Sequence, residues 1–250
     1  MQEKRYHLLD ALRGITIINM IVYHGLWDVV YILDVPISWY FSKGAYYWQQ
    51  SICYTFILLS GFCLSLGKRR MKRGLQVLLC GILVSVVTIL FLPDEQIVFG
   101  VLFMLGASMM LVSAGYNGLS KVPPLAGLLV SGALFLLTKP MKRGYLGIGD
   151  IRLWKLPEEL YDMGYFMTFL GLKDKDFYSS DYFPLFPWLF LFLVGFYLFH
   201  LLQKKGQPKR AGKEFRRIPV LSFLGRHSLL IYMLHQPVLY GVAMVVKLFM

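Results

Sequence analysis

Residues 12–33 read LRGITIINMIVYHGLWDVVYIL, and the fold follows from this run. It is long enough to cross a bilayer as one helix, which takes about 20 residues. Arg13 and His24 stand in it with ten residues between them. Eleven helical steps of about 100° bring the chain back to within about 20° of its starting face, so the two side chains share a face. Along the axis they are about 16 Å apart. Arg13 then lies near one membrane surface and His24 well inside the hydrocarbon, where a histidine is costly and points to a functional site, the alternative being a hydrogen-bonded packing residue. Asp28 follows His24 by one turn on the same face, placed to orient the imidazole and raise its basicity. Asp10 can pair with Arg13, although an arginine at a helix end equally suits an anchor to lipid phosphates.

The rest of the 250-residue chain has the same character. It is 57% hydrophobic and 16% charged, against about 25% charged in ordinary soluble domains. Further apolar runs near 48–67, 74–92, 97–115, 122–138, 184–203 and 226–249 predict an all-α, polytopic transmembrane bundle of about seven spans. One integral-membrane domain over 1–250 is expected. The net charge of +12 does not point to nucleic acid, because the basic residues form short clusters between apolar runs, where they anchor helices to the lipid bilayer. Cys53, Cys63 and Cys80 lie within apolar runs without metal-type spacing, so neither a metal site nor a disulfide framework is expected. The first run is too long for a cleaved signal peptide.

Charge asymmetry orients the chain. Segment 68–73, KRRMKR, has five basic residues and no acid, and segment 204–217 has seven basic residues and one acid. Both predict cytoplasmic placement, as do Lys4 and Arg5. Loop 139–183 has seven basic and seven acidic residues and is expected outside. With seven spans the N-terminus is cytoplasmic and the C-terminus outside. Within the long loop, 163–172 (MGYFMTFLGL) suits an interfacial or re-entrant helix. Its aromatics suit either a sugar-like acceptor or a membrane-interface belt.

In the last apolar run Ser228, Tyr232 and His235 share one helical face, followed by Gln236 and Pro237. These residues can line a substrate cavity, or act as polar glue between helices. Asp181, just before Pro184, Pro187 and Trp188, can serve an acceptor or cap the interface.

Four segments resemble the bacterial heparan-alpha-glucosaminide N-acetyltransferase-like family, in the family's order. They are RYHLLDALRGITIINMIVYHGLWDV, FGVLFMLGASMML, DYFPLFPWLFLFLVGF and LSFLGRHSLLIYMLHQPVL, and they reach from Arg5 to Leu239. The Arg-x10-His spacing is also similar to that of the membrane acyltransferase-3 proteins, within a wider transmembrane acyltransferase superfamily. The resemblance implies transfer of an acetyl or other acyl group from acyl-coenzyme A, with acetyl-coenzyme A as the usual donor. The donor would come from the cytoplasmic side of a bacterial cytoplasmic membrane, and the acceptor would be a sugar amine or hydroxyl on the far side. By the same resemblance His24 matches the membrane-embedded histidine and Arg13 the arginine. The chain departs from the family at Phe103, where a histidine is frequent, and it is shorter than the lysosomal enzyme that names the family, which points away from heparan as acceptor. A proton-coupled transporter with His24, Asp28 and His235 as relay is the competing reading, and a homo-oligomer is compatible with either.

Overall fold

The computed structural model describes residues 7–204 and 218–250. It is mostly helical, with 74% of residues in helix and 4% in strand. The chain divides into two compact units, Met1–Phe56 with Gly206–Met250, and Ile57–Lys205. The expected basic segment 204–217 lies outside the described residues except for Lys204, and so do Lys4 and Arg5.

The first unit opens with α1 (His7–Tyr31), then a 3-10 turn (Ser38–Phe41) and the first part of α2 (Lys43–Leu64). In the second unit, the rest of α2 leads to α3 (Arg70–Phe91), α4 (Val101–Ala114), the short α5 (Tyr116–Leu119) and α6 (Pro124–Thr138). An antiparallel hairpin of β1 (Tyr145–Ile148) and β2 (Ile151–Lys155) follows, with a register shift between Leu146 and Gly147. A 3-10 turn (Glu158–Asp162), α7 (Gly164–Leu170) and α8 (Leu185–Lys204) complete that unit. The first unit closes with α9 (Pro219–Arg226) and α10 (Ser228–Lys247).

Among the described residues, four helices are long and apolar enough to cross a membrane: α3, α6 with the turn that follows it, α8 and α10. The apolar runs predict seven spans; helix length and composition support four of them. The physical reason is local. α1 is 25 residues long but carries Asp10, Arg13, Asn19 and Asp28. α2 has 22 residues and opens on Lys43, with Gln49 and Gln50 close behind. α4 has only 14 residues, too few for about 30 Å of hydrocarbon at 1.5 Å per residue.

In the second unit α3 packs on α4, and α6 on α8. Phe192 and Phe196 of α8 are fully buried. The 163–172 segment forms a single short helix, α7. Its Thr168 is buried, taking a hydrogen bond from the Asp174 amide at 3.0 Å and, on its carbonyl, one from the Tyr182 hydroxyl at 2.6 Å.

In the first unit α1 is turned so that its polar stripe faces protein. Ala11, Gly14, Thr16, Ile17, Met20 and Asp28 are buried; positions 11, 14, 17 and 20 recur every three residues and Asp28 lies about two turns further on. Leu12, Ile15, Ile18 and Val22 lie on the opposite face and are exposed. Ile17, Met20 and Ile52 form the buried core, packed by Tyr23, Trp48, Ile231 and Tyr232. α1 meets α9 backbone to backbone. A Cβ at Gly14 would collide with the Leu221 carbonyl, and one at Gly225 with the Asp10 carbonyl. Small residues at such crossings are how helices associate in lipid, where apolar burial offers little between helices.

Gly14→Ala should therefore destabilise the protein by about 1–3 kcal/mol, because rigid backbone has to move. At Gly25 an added Cβ would meet only the Leu239 side chain, at 3.7 Å. Gly25→Ala should be neutral or slightly stabilising, since alanine costs less helix entropy. Thermal unfolding of the two variants in the same detergent, compared with the parent, measures the contrast.

Candidate active site

α1 and α10 run parallel along each other. The His24 ring meets the His235 ring edge-on, with centroids 4.9 Å apart and planes at 68°. One turn further, Gln236 Nε2 donates to Asp28 Oδ1 at 2.9 Å. At the far end Lys247 Nζ donates to the Ile32 carbonyl at 2.6 Å and pairs with Asp34 at 3.3 Å. Asp28 is 2% exposed and His235 8%. A buried carboxylate demands donors, and among the described residues Asp28 takes its hydrogen bond from Gln236 and not from His24. The expected Asp28–His24 hydrogen bond is not made: Asp28 Oδ1 is taken by Gln236 from the facing helix, and the His24 ring turns instead to the His235 ring.

His235 Nδ1 lies 2.6 Å from the Tyr232 carbonyl. A carbonyl only accepts, so Nδ1 carries the hydrogen and, in the neutral ring, Nε2 holds the free lone pair. That Nε2 is buried without a partner, and so are Asp28 Oδ2 and Gln236 Oε1. Three acceptor atoms on neighbouring side chains thus have no donor among the described residues. In general nearly all buried polar groups are paired, and exceptions mark function.

Aromatic rings join this cluster through Tyr23, which meets the His24 ring edge-on at 6.2 Å, and through Tyr232. Tyr23 packs on Tyr40 at 5.3 Å and edge-on to Trp48 at 5.4 Å. Trp48 Nε1 donates to Asn19 Oδ1 at 2.9 Å. Tyr232 contacts His235 at 5.2 Å and Phe56 at 6.5 Å. Sequence reasoning missed Tyr40 and Trp48. The available signal was the polar stretch Trp48, Gln49, Gln50, Ser51 at the mouth of an apolar run.

Of the residues singled out in the sequence, His24, Asp28, Tyr232, His235 and Gln236 come together. Ser228, first residue of α10, is about 10 Å from His235 along the axis and does not join them. Arg13 Nη1 donates to Asp10 Oδ1 at 2.8 Å, about 16 Å along α1 from His24. Asp181 belongs to the second unit. Its Oδ2 accepts from the Val101 amide at 3.3 Å, at the start of α4, where Gly100 has no capping side chain. The Phe183 amide also donates to the Phe99 carbonyl at 2.9 Å. The blocks FGVL and DYFP therefore meet, and Asp181 caps α4. Burial pushes its carboxyl up to about 6, with the Val101 hydrogen bond opposing.

Apolar helices long enough to cross a membrane, with the His24 ring set against a buried His235, define an integral membrane protein. The family model described as heparan-alpha-glucosaminide N-acetyltransferase, catalytic, matches residues 5–237. The chain belongs to this family of membrane acetyltransferases, and that membership does not favour the transporter reading. No curated protein and no solved structure matches the chain.

A carboxyl raised in the native state binds its proton more tightly there than in the unfolded chain. The stability it confers is complete below about pH 4, the ordinary aspartate range, and is lost as pH rises through about 6. Asp181→Asn keeps the oxygen that receives the Val101 amide and removes the titration. Its unfolding temperature should vary less between pH 4 and 6 than that of the parent, as read by scanning calorimetry.

Proposed function

We propose that this protein moves an acetyl or other acyl group from acyl-coenzyme A to the amine or hydroxyl of a sugar, at the His24–His235 pair. The observation that carries the proposal is the set of unpartnered acceptors Asp28 Oδ2, His235 Nε2 and Gln236 Oε1. Such a site suits an incoming group rich in donors, and a sugar amine or hydroxyl is one.

The chemistry divides between the two rings. His24 attacks the thioester carbonyl; the C–S bond breaks and coenzyme A leaves as the thiol with the proton shed by the imidazole. The acceptor nitrogen or oxygen then attacks the acyl-imidazole carbon, and His235 Nε2 takes its proton as general base. The bond to His24 breaks as His235 hands that proton to the departing His24 ring, and both imidazoles are restored in their neutral form. Asp28 and Gln236 hold the acceptor rather than react. Arg13, with Asp10, serves the donor's phosphates at the other end of α1, where a planar guanidinium suits them. Asp181 and Ser228 stay outside this scheme.

The same proposal covers the topology: seven crossings in one membrane domain, N-terminus cytoplasmic, C-terminus and loop 139–183 outside. The parallel run of α1 and α10 supports an odd number of crossings. The bacterial cytoplasmic membrane is the proposed location.

Release of coenzyme A from acetyl-coenzyme A, normalised to folded protein, tests the chemistry. His24→Ala and His235→Ala should each lower the rate by about a hundredfold or more, with unfolding temperatures near the parent. Asp28→Asn should lose less, because both imidazoles remain. Near-normal release from the folded His24→Ala variant rules the assignment out.

Orientation has its own measurement. In a chain whose three native cysteines are replaced, Lys68→Cys and Ser179→Cys are exposed in turn to an impermeant thiol reagent on intact cells. Residue 179 should label and residue 68 should not. The reverse pattern inverts the topology.

A further inference from the structure

Segment 139–183 is electrically neutral in sequence, with seven basic and seven acidic residues, yet the fold separates the two signs. A cavity of about 400 Å³ opens beside the β-hairpin, lined by Lys142, Arg143, Arg152, Lys155, Lys173 and Lys175. Six of the seven basic residues of the segment thus face one space. Of the seven acids only Glu158 lines it.

The neutralisation inside is slight. Glu158 pairs with Lys155 at 3.2 Å. Arg143 reaches Asp150 at 3.4 Å, but that carboxylate is fully exposed to solvent. Lys142, Lys173 and Lys175 form no ion pair among the described residues. Gathering like charges around one concavity costs free energy and focuses a positive potential there.

The walls are built rather than loose. Arg152 lies over the Tyr145 ring, 5.2 Å from its centre, and the buried Tyr145 donates to the Gly149 carbonyl at 3.0 Å. The Leu156 amide donates to the Gly144 carbonyl at 2.9 Å. Tyr161 donates to the Met141 carbonyl. These bonds hold the hairpin, and the cations on it, around the opening. A planar guanidinium stacked on a ring, beside several ammonium groups, is the donor set that phosphate oxygens take.

We propose that this cavity binds a phosphate monoester or diester, carried either by a lipid headgroup or by a soluble phosphorylated sugar or polyol. The site lies wholly within the second unit and does not rest on the acetyl-transfer reading.

The test uses the full chain in nanodiscs of phosphatidylcholine. Lysines are acetylated with a limiting amine-reactive ester, and the modification of Lys142, Lys173 and Lys175 is read by mass spectrometry against exposed Lys43. Three additions are compared: glycerol, glycerol 1-phosphate, and phosphatidylglycerol incorporated in the disc. The phosphate-bearing probe should protect the three cavity lysines saturably while Lys43 is unchanged and glycerol has no effect. Protection by glycerol 1-phosphate identifies a soluble source; protection by phosphatidylglycerol alone identifies a headgroup. In the Lys142→Gln/Lys173→Gln/Lys175→Gln variant, affinity for the protecting probe, measured by titration calorimetry, should fall about tenfold or more and lose most of its salt dependence. Equal modification under all conditions, or equal protection by glycerol, overturns the proposal. So does unchanged affinity in the folded triple variant. The footprint on the unsubstituted chain decides the matter should that variant not fold.

Discussion

A carboxylate buried among apolar helices sets the terms for the first unit. Asp28 is almost wholly removed from solvent and takes its hydrogen bond from Gln236, 208 residues away in sequence. Stranding such a group costs several times what an average hydrogen bond contributes. The pairing therefore fixes the register of α10 against α1. Once Gln236 is opposite Asp28, the preceding residue, His235, is brought against His24. The two-ring geometry follows from the acid's need for a donor.

Around that contact the usual arrangement of a soluble helix is turned over. Four apolar residues of α1, Leu12, Ile15, Ile18 and Val22, face outward, while Ile17 and Met20 join the buried core. The inward stripe carries Gly14, His24 and Asp28. In lipid this order is favourable, because tails solvate leucine as well as another helix does, while polar groups need protein partners. Close approach at Gly14 and Gly225 then provides the packing contacts that apolar burial cannot.

The second unit shows how a motif's chemistry can be structural. The blocks FGVL and DYFP meet through Asp181 at the Val101 amide and through Phe183 at the Phe99 carbonyl. An acid beside prolines and a tryptophan reads as a binding residue, but this one satisfies a helix terminus whose own cap, Gly100, has no side chain. Its raised protonation range follows from the same burial. His24, Asp28, His235 and Gln236 differ in one respect: three of them keep acceptor atoms that no described residue satisfies.

What the sequence determined by itself was whatever depends on local periodicity. The helical character, the shared face of Arg13, His24 and Asp28, the face of Tyr232 and His235, and the membership of the family blocks all follow from spacing and residue type along a few turns. The count of crossings was less legible, because polar residues within α1 and α2 and the shortness of α4 blur hydropathy. Which partners those faces meet was decided only in three dimensions. Asp28 finds Gln236 instead of His24, Tyr40 and Trp48 pack on Tyr23 beside His24, and Asp181 finds an amide 80 positions earlier. The charges of 139–183 cancel along the chain but separate across the hairpin. The physical reason is common to all four: a side chain's direction follows from its own turn or strand, but its neighbours depend on how distant segments pack.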